Sequence, residues 1–211
     1  MTPGPTIIRE CSACGKHIAQ HTIASGNTFG ARFWTDGKRS APMLPDQPWL
    51  VKCQHCDTLI WIDEQRQAGE IYPRGLKSCE TDRFTDARPA STPTLQDYTG
   101  FLAAGISDKR KERYIRLRIW WAGNDHRRES GQSALLDSIE TENLRAFVTL
   151  LDEAEVNDRI MKAEALRELG EFADAQKLLA TKFDDELTQA VSIIRELNQK
   201  GITTVAEMKF R

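Results

Sequence analysis

Residues 52–62 read KCQHCDTLIWI, and residues 10–16 read ECSACGK; the fold turns on whether these two stretches belong together. Each holds two cysteines separated by two residues: Cys11 and Cys14 in the first, Cys53 and Cys56 in the second. A tight turn between paired cysteines aims both sulfurs at one point, and two such turns close a tetrahedron around one ion at metal–sulfur distances near 2.3 Å. Backbone N–H groups that follow the first cysteine of each pair can then spread the negative charge of the thiolates. The residue after each pair fits the same turn. The chain there wants a positive φ, which Gly15 adopts without strain and which Asp57, as one of the few tolerant non-glycine residues, can also adopt.

Composition sets the frame. The 211 residues are 40% hydrophobic and 28% charged, with a net charge of −2, the profile of a globular chain long enough for one or two cores. Residues 101–130 carry eight basic and four acidic side chains, so a basic segment lies between a balanced N-terminal half and an acidic C-terminal region. MTPGPTIIREC holds no apolar core of signal-peptide length, and no apolar run approaches the roughly 18 residues of a membrane span. A thiol-reducing cytoplasmic compartment is the expectation, and five cysteines, an odd number, argue against a closed disulfide framework. In that setting Cys11, Cys14, Cys53 and Cys56 read as ligands of one structural Zn²⁺ per chain.

Two other chemistries compete for the same residues. A redox C-x-x-C opens a helix in a βαβ unit, and neither pair precedes a helical pattern. A catalytic zinc keeps an open coordination position, which four thiolates do not leave. His55 could replace a cysteine, and His17 and His21 could support the site through hydrogen bonds; the plainer reading makes all three polar surface residues. Cys79, in GLKSCETD, has no neighbour at ligand spacing and reads as an unligated thiol.

The 38 residues between the pairs are expected to hold strands. NTFGARFWTDGKR places Phe29, Ala31 and Phe33 on one strand face before an Asp36-Gly37 hairpin turn, WLVKC resumes strand character, and TLIWI is β-branched and aromatic. This layout resembles a zinc ribbon with an enlarged insertion over about residues 9–62, a likeness that rests on the cysteines and the residues after them. The β module is assigned to residues 1–71 and a Pro- and Gly-containing connection to 72–93.

From residue 94 the period becomes helical. Thr94 caps a helix bearing Leu95, Tyr98 and Leu102 that stops at Gly105, and Ser107 is the expected cap of DKRKERYIRLRIWWAG. Further helices are expected near 132–139, 142–152, 157–169, 172–181 and 185–199, with a short terminal turn opening at Thr204. Within 157–181, NDRIMKAEALRELGEFADAQKLL resembles a tetratricopeptide (TPR) unit, with Ala163 and Ala175 as small contact residues, Gly170 at the turn and Phe172 after it. Arg159, Lys182 and Leu187 depart from that motif, and no second copy lies 34 residues upstream.

The expected fold class is therefore α+β: a small zinc-ribbon-like β module followed by an irregular TPR-like helical bundle. The order of features resembles bacterial cytoplasmic proteins of uncharacterised function that pair a zinc ribbon with such helices, which implies a non-enzymatic zinc-binding protein with a protein partner. The alternative is a nucleic-acid-binding ribbon that uses the basic helix around 109–118, where Lys109, Arg113 and Arg116 form a stripe beside Tyr114 and Trp121. No phosphate loop, GxGxxG, HExxH or GxSxG motif and no catalytic constellation appears in the sequence.

Overall fold

The computed structural model describes residues 1–72, 83–130 and 135–210. The chain is α+β, with β-sheets at the N-terminal end that hold a four-cysteine cluster, followed by six helices among the described residues. It divides into two compact units: residues 1–31 with 40–97, and residues 32–39 with 98–211.

In the first unit β1 (Thr2–Glu10), β2 (His17–Ser25), β7 (Arg66–Ile71) and β8 (Arg88–Pro89) form a sheet of order β7-β1-β2-β8. β1 is antiparallel to both β2 and β7, and the short β8 runs parallel to β2, pairing Ile18 with Arg88 and Ala19 with Pro89. Pro3 and Pro5 do not prevent β1 from forming, because a register shift between Pro3 and Thr6 takes up the missing donors. A separate hairpin pairs β5 (Leu50–Lys52) with β6 (Leu59–Trp61), and the CQHCDT turn joins the two strands. Ile18, Val51, Ile60 and Ile62 pack with Cys11 and Cys53 in one buried cluster, so the cysteines are part of the core they organise. Burying each such aliphatic side chain stabilises the unit by about 1.5–3 kcal/mol.

The connection read at 72–93 has structure where it is described. Ser91 exchanges backbone hydrogen bonds with Lys52 at 3.0 and 2.9 Å, and Lys52 Nζ lies 3.2 Å from Asp97. Asp97 in turn completes a reciprocal cap with Thr94: the Asp97 N–H donates to Thr94 Oγ1, and the Thr94 N–H to Asp97.

The second unit holds most of the helices. α1 (Leu95–Ala103) crosses the division between the units; α2 (Lys109–Ser130), α3 (Ser138–Thr149), α4 (Val156–Glu168), α5 (Phe172–Leu179) and α6 (Thr188–Gln199) lie within the second. Ala163, Leu166, Ala175, Leu179, Val191 and Ile194 make one core, and Trp120, Leu144, Phe147, Leu151 and Ala165 make another. Ala163 and Ala175 are fully buried in the same cluster, and Gly170, between α4 and α5, has φ +78°.

A third sheet has order β4-β3-β9, where β3 is Arg32–Trp34, β4 Arg39–Ser40 and β9 Glu207–Met208. Phe33 lies opposite Met208 and Trp34 opposite Glu207, so residues from the inter-cysteine insertion pair with the C-terminal segment. The Asp36-Gly37 turn forms as expected, with Gly37 at φ +78°.

Several local expectations are corrected. Phe29 does not share a strand face with Phe33; it lies in a turn, 85% exposed, because the strand begins only at Arg32. α2 is capped by Asp108 rather than Ser107, the Asp108 carboxylate accepting from the Arg110 and Lys111 amides at 2.8 and 3.2 Å. The helix expected at 132–139 is not formed over 135–137. α3, which answers to the helix expected at 142–152, begins at Ser138 with Asp137 and Glu140 as a capping box. Residues 132–134 lie outside the described residues, as do Pro73, Gly75 and Cys79. The segment opening at Thr204 enters a strand instead of a turn, because the Thr35 N–H donates to Ala206 O and the Ala206 N–H to Thr35 Oγ1. Among the described residues no helix is long and apolar enough to cross a membrane.

Candidate metal centre

The two C-x-x-C turns are built alike. The Cys11 N–H donates to Lys16 O at 2.9 Å and the Gly15 N–H to Cys11 O at 2.8 Å. In the second turn the Cys53 N–H donates to Thr58 O at 3.0 Å and the Asp57 N–H to Cys53 O at 2.9 Å. Gly15 (φ +71°) and Asp57 (φ +58°) take the left-handed conformation that lets each chain double back; Asp57 is the single described non-glycine residue with positive φ. The β1–β2 and β5–β6 hairpins present these turns to each other.

The four ligand atoms lie within 4.8 Å of one another. Cys11 Sγ is 3.9 Å from Cys56 Sγ, and Cys14 Sγ is 3.9 Å from Cys53 Sγ. A tetrahedron with arms of about 2.3 Å has edges of roughly 3.8 Å, so the cluster has the dimensions of one four-thiolate metal site. The thiols are free, not joined as disulfides. Cys11 and Cys53 are buried and Cys14 and Cys56 half-buried, so the site is open to solvent on one side.

Without a bound ion the thiols differ in acidity. Burial pushes Cys53 up to about 12, against the His55 backbone N–H, which donates to its sulfur at 3.5 Å. Hydrogen bonding to the Thr58 side chain and backbone pulls Cys56 down to about 6. A metal binds these groups as thiolates, so its binding releases protons.

His17 and His55 stand beside the cysteine turns, and His21 lies further along β2. His55 Nε2 lies 3.1 Å from the His17 carbonyl, His17 Nδ1 is 2.6 Å from Asp86, and His21 Nδ1 is 3.1 Å from Thr6 Oγ1. Phe84 packs edge-on to the His17 ring at 5.1 Å. Residues 84–91 thus lean against the turns through a buried phenyl ring, a histidine–carboxylate pair and the β8 pairing. The sequence signal for this strap was weak, since Asp86 and Phe84 sit in a segment rich in proline and polar residues. Gln65, also unmarked in the sequence, accepts from the Ser12 N–H at 2.8 Å and donates to Trp61 O at 3.1 Å, linking the first turn to β6.

Arg113 and Arg116 of the basic α2 stripe are engaged within the second unit. The Arg113 guanidinium grips the Asp158 carboxylate with both terminal nitrogens, Arg116 Nε donates to Glu112 at 2.8 Å, and Arg118 lies over the Tyr114 and Trp121 rings. Trp120 is buried, and the Trp121 indole N–H donates to Asp36 O at 2.9 Å.

Compared with known proteins, the chain matches no family model, no curated protein and no solved structure.

Proposed function

We propose that the chain is a non-enzymatic zinc protein, in which one structural Zn²⁺ bound by Cys11, Cys14, Cys53 and Cys56 holds a zinc-ribbon-like module and the helices offer a surface to a protein partner. The observation that carries this reading is the convergence of four sulfurs to tetrahedral dimensions on two turns of matching geometry. Four thiolates favour zinc, and they fill its coordination sphere, which suits a structural rather than a catalytic ion. Elemental analysis of protein purified without chelator tests the metal: one zinc per chain, with a colourless solution, is expected, and metal-free folded protein would reject the reading.

The partner half of the proposal rests on the likeness of α4 and α5 to a TPR unit, with Ala163, Gly170 and Ala175 in the roles that permit close helix approach. The engagement of Arg113 and Arg116 with carboxylates favours a protein partner over nucleic acid, because those cations are already neutralised. Proximity labelling in cells, comparing the native chain with a double variant Asp174→Lys, Lys177→Glu at two exposed positions of α5, tests the surface. A neighbour set that the charge swap leaves unchanged would argue against it.

A further inference from the structure

The second unit encloses a charge cluster whose count does not balance. The Asp36, Glu140, Glu164 and Glu168 carboxyls are buried, as are the Arg127, Arg128 and Arg167 guanidiniums. Three pairs form: Arg128 with Asp36, Arg127 with Glu140 at 2.6 and 2.8 Å, and Arg167 with Glu164 at 2.5 and 2.8 Å. The partly exposed Lys38–Asp125 pair beside Arg128 leaves the sum unchanged, and the exposed His126 lies toward Glu140. Glu168 is the carboxyl left over from these pairs: Arg167 Nη2, 4.0 Å away, is engaged by Glu164, and Arg127, which also acts on Glu168 electrostatically, is engaged by Glu140.

The groups around Glu168 are donors. The Trp120 indole N–H donates to Oε2 at 2.8 Å, and Asn124 Nδ2 donates to Oε2 at 3.1 Å and to Oε1 at 3.3 Å. Such neighbours donate to the Glu168 oxygens and suit a carboxylate. The surroundings are thus arranged for an anion, while the cluster lacks one positive charge to match it, and an unmatched buried charge costs several kcal/mol.

A cavity of about 230 Å³ lies beside Glu168, lined by that residue with Asn124, Arg127, Leu135, Leu136, Thr141, Leu169 and Thr203. We propose that this cavity binds a small primary alkylammonium, with Glu168 as its counterion. The ammonium supplies the missing charge, the Thr141 and Thr203 hydroxyls are acceptors for its remaining N–H groups, and Leu135, Leu136 and Leu169 line the space for a short alkyl chain. The volume exceeds what a bare alkali ion fills. In the empty protein burial, with Glu164 and Asp36 adding to it, raises Glu168 well above the ordinary carboxyl range, so a proton is the competitor the ligand displaces.

Calorimetric titration of the full-length protein with n-butylammonium chloride tests the site, with n-butanol, butyrate and potassium chloride as matched probes and the Trp120 indole N–H resonance as the local reporter. Saturable butylammonium binding that shifts this resonance, that releases a proton and that tightens as pH rises is expected. Glu168→Gln, which retains an acceptor for Trp120 and Asn124, should weaken it at least tenfold, and Leu136→Trp should block it by filling the cavity with the charges intact. Equal binding of n-butanol or butyrate, saturation by potassium alone, undiminished binding to Glu168→Gln, or no butylammonium binding would each overturn the proposal.

Discussion

At the scale of single residues, the metal centre depends on two backbone conformations as much as on four sulfurs. Gly15 and Asp57 close equivalent turns, yet only Gly15 does so without a Cβ penalty. Replacing Asp57 with valine puts a β-branched side chain at φ +58°, at a cost of about 1–2 kcal/mol or more, whereas Asp57→Gly should be tolerated or mildly stabilising. Chelator-competition titration checks this: Asp57→Val should lower metal affinity roughly tenfold relative to Asp57→Gly, and equal affinities would show that the turn does not set the site. This part of the site was legible in the sequence, because cysteine spacing and the residue after each pair are local signals. Gln65 and Asp86 were not legible, since a glutamine or aspartate carries no spacing rule that announces a contact with a turn some fifty or seventy residues away.

At the scale of elements, α2 and α3 meet through charge as well as through Trp120 and Phe147. Gly123 lets the α2 backbone approach the Glu140 carboxylate, where a Cβ would collide with it, and Arg127 donates to that carboxylate with both Nη atoms. Burial alone would raise the Glu140 pKa, but Arg127 and the Asp137 backbone N–H outweigh it and hold it below the ordinary range. A carboxyl whose pKa is lowered by folding adds stability that is full above its unfolded value, near 4.5, and fades as pH falls through the folded one. Arg127→Ala should cost about 3–5 kcal/mol at pH 7 by leaving Glu140 buried without its partner. The penalty should shrink as pH falls below 4.5 and through the lowered folded pKa of Glu140; urea melts at pH 7 and in acid measure the difference, and a pH-independent penalty would assign the loss to packing alone. Glu168 has the opposite sign: its raised pKa makes the ionised form unfavourable, so Glu168→Gln should leave the protein as stable or more stable at neutral pH. Most helices were readable from their 3.6-residue period, but α2 runs on to Ser130, residues 135–137 are not helical, and α4 buries Asp158, Glu164, Arg167 and Glu168 along with its apolar residues. The charge cluster was hidden, since its carboxylates sit at positions where solvated helix faces are the ordinary expectation.

At the scale of the whole molecule, the order of the chain and the order of its compact units differ. Residues 32–39 lie in sequence between the two cysteine pairs, but they join the second unit through β3–β9 pairing, the Trp121 indole on Asp36 O, and Asp36 itself against Asn124 and Arg128. No local pattern reveals this, because a hairpin signal states that a turn forms and not which strand the hairpin then meets. The consequence is that a fragment beginning at Tyr98 lacks part of its own core. It should be much less stable than the same region in the full chain, since Arg128 and Asn124 lose their buried carboxylate and β9 loses β3. The same reasoning predicts how metal removal spreads. Chelation withdraws the folding energy of the four-thiolate site, so amides bonded within the turns, those of Cys11, Gly15, Cys53 and Asp57, should lose protection from hydrogen exchange. The Thr35 and Gly37 amides, bonded to Ala206 and Trp34, should keep theirs although they lie between the pairs in sequence. Exchange measured by mass spectrometry with and without chelator separates the outcomes. Loss of protection at Thr35 and Gly37 together with the cysteine turns would mean that the insertion unfolds with the metal module, and that its pairing with the C-terminal segment depends on the ion.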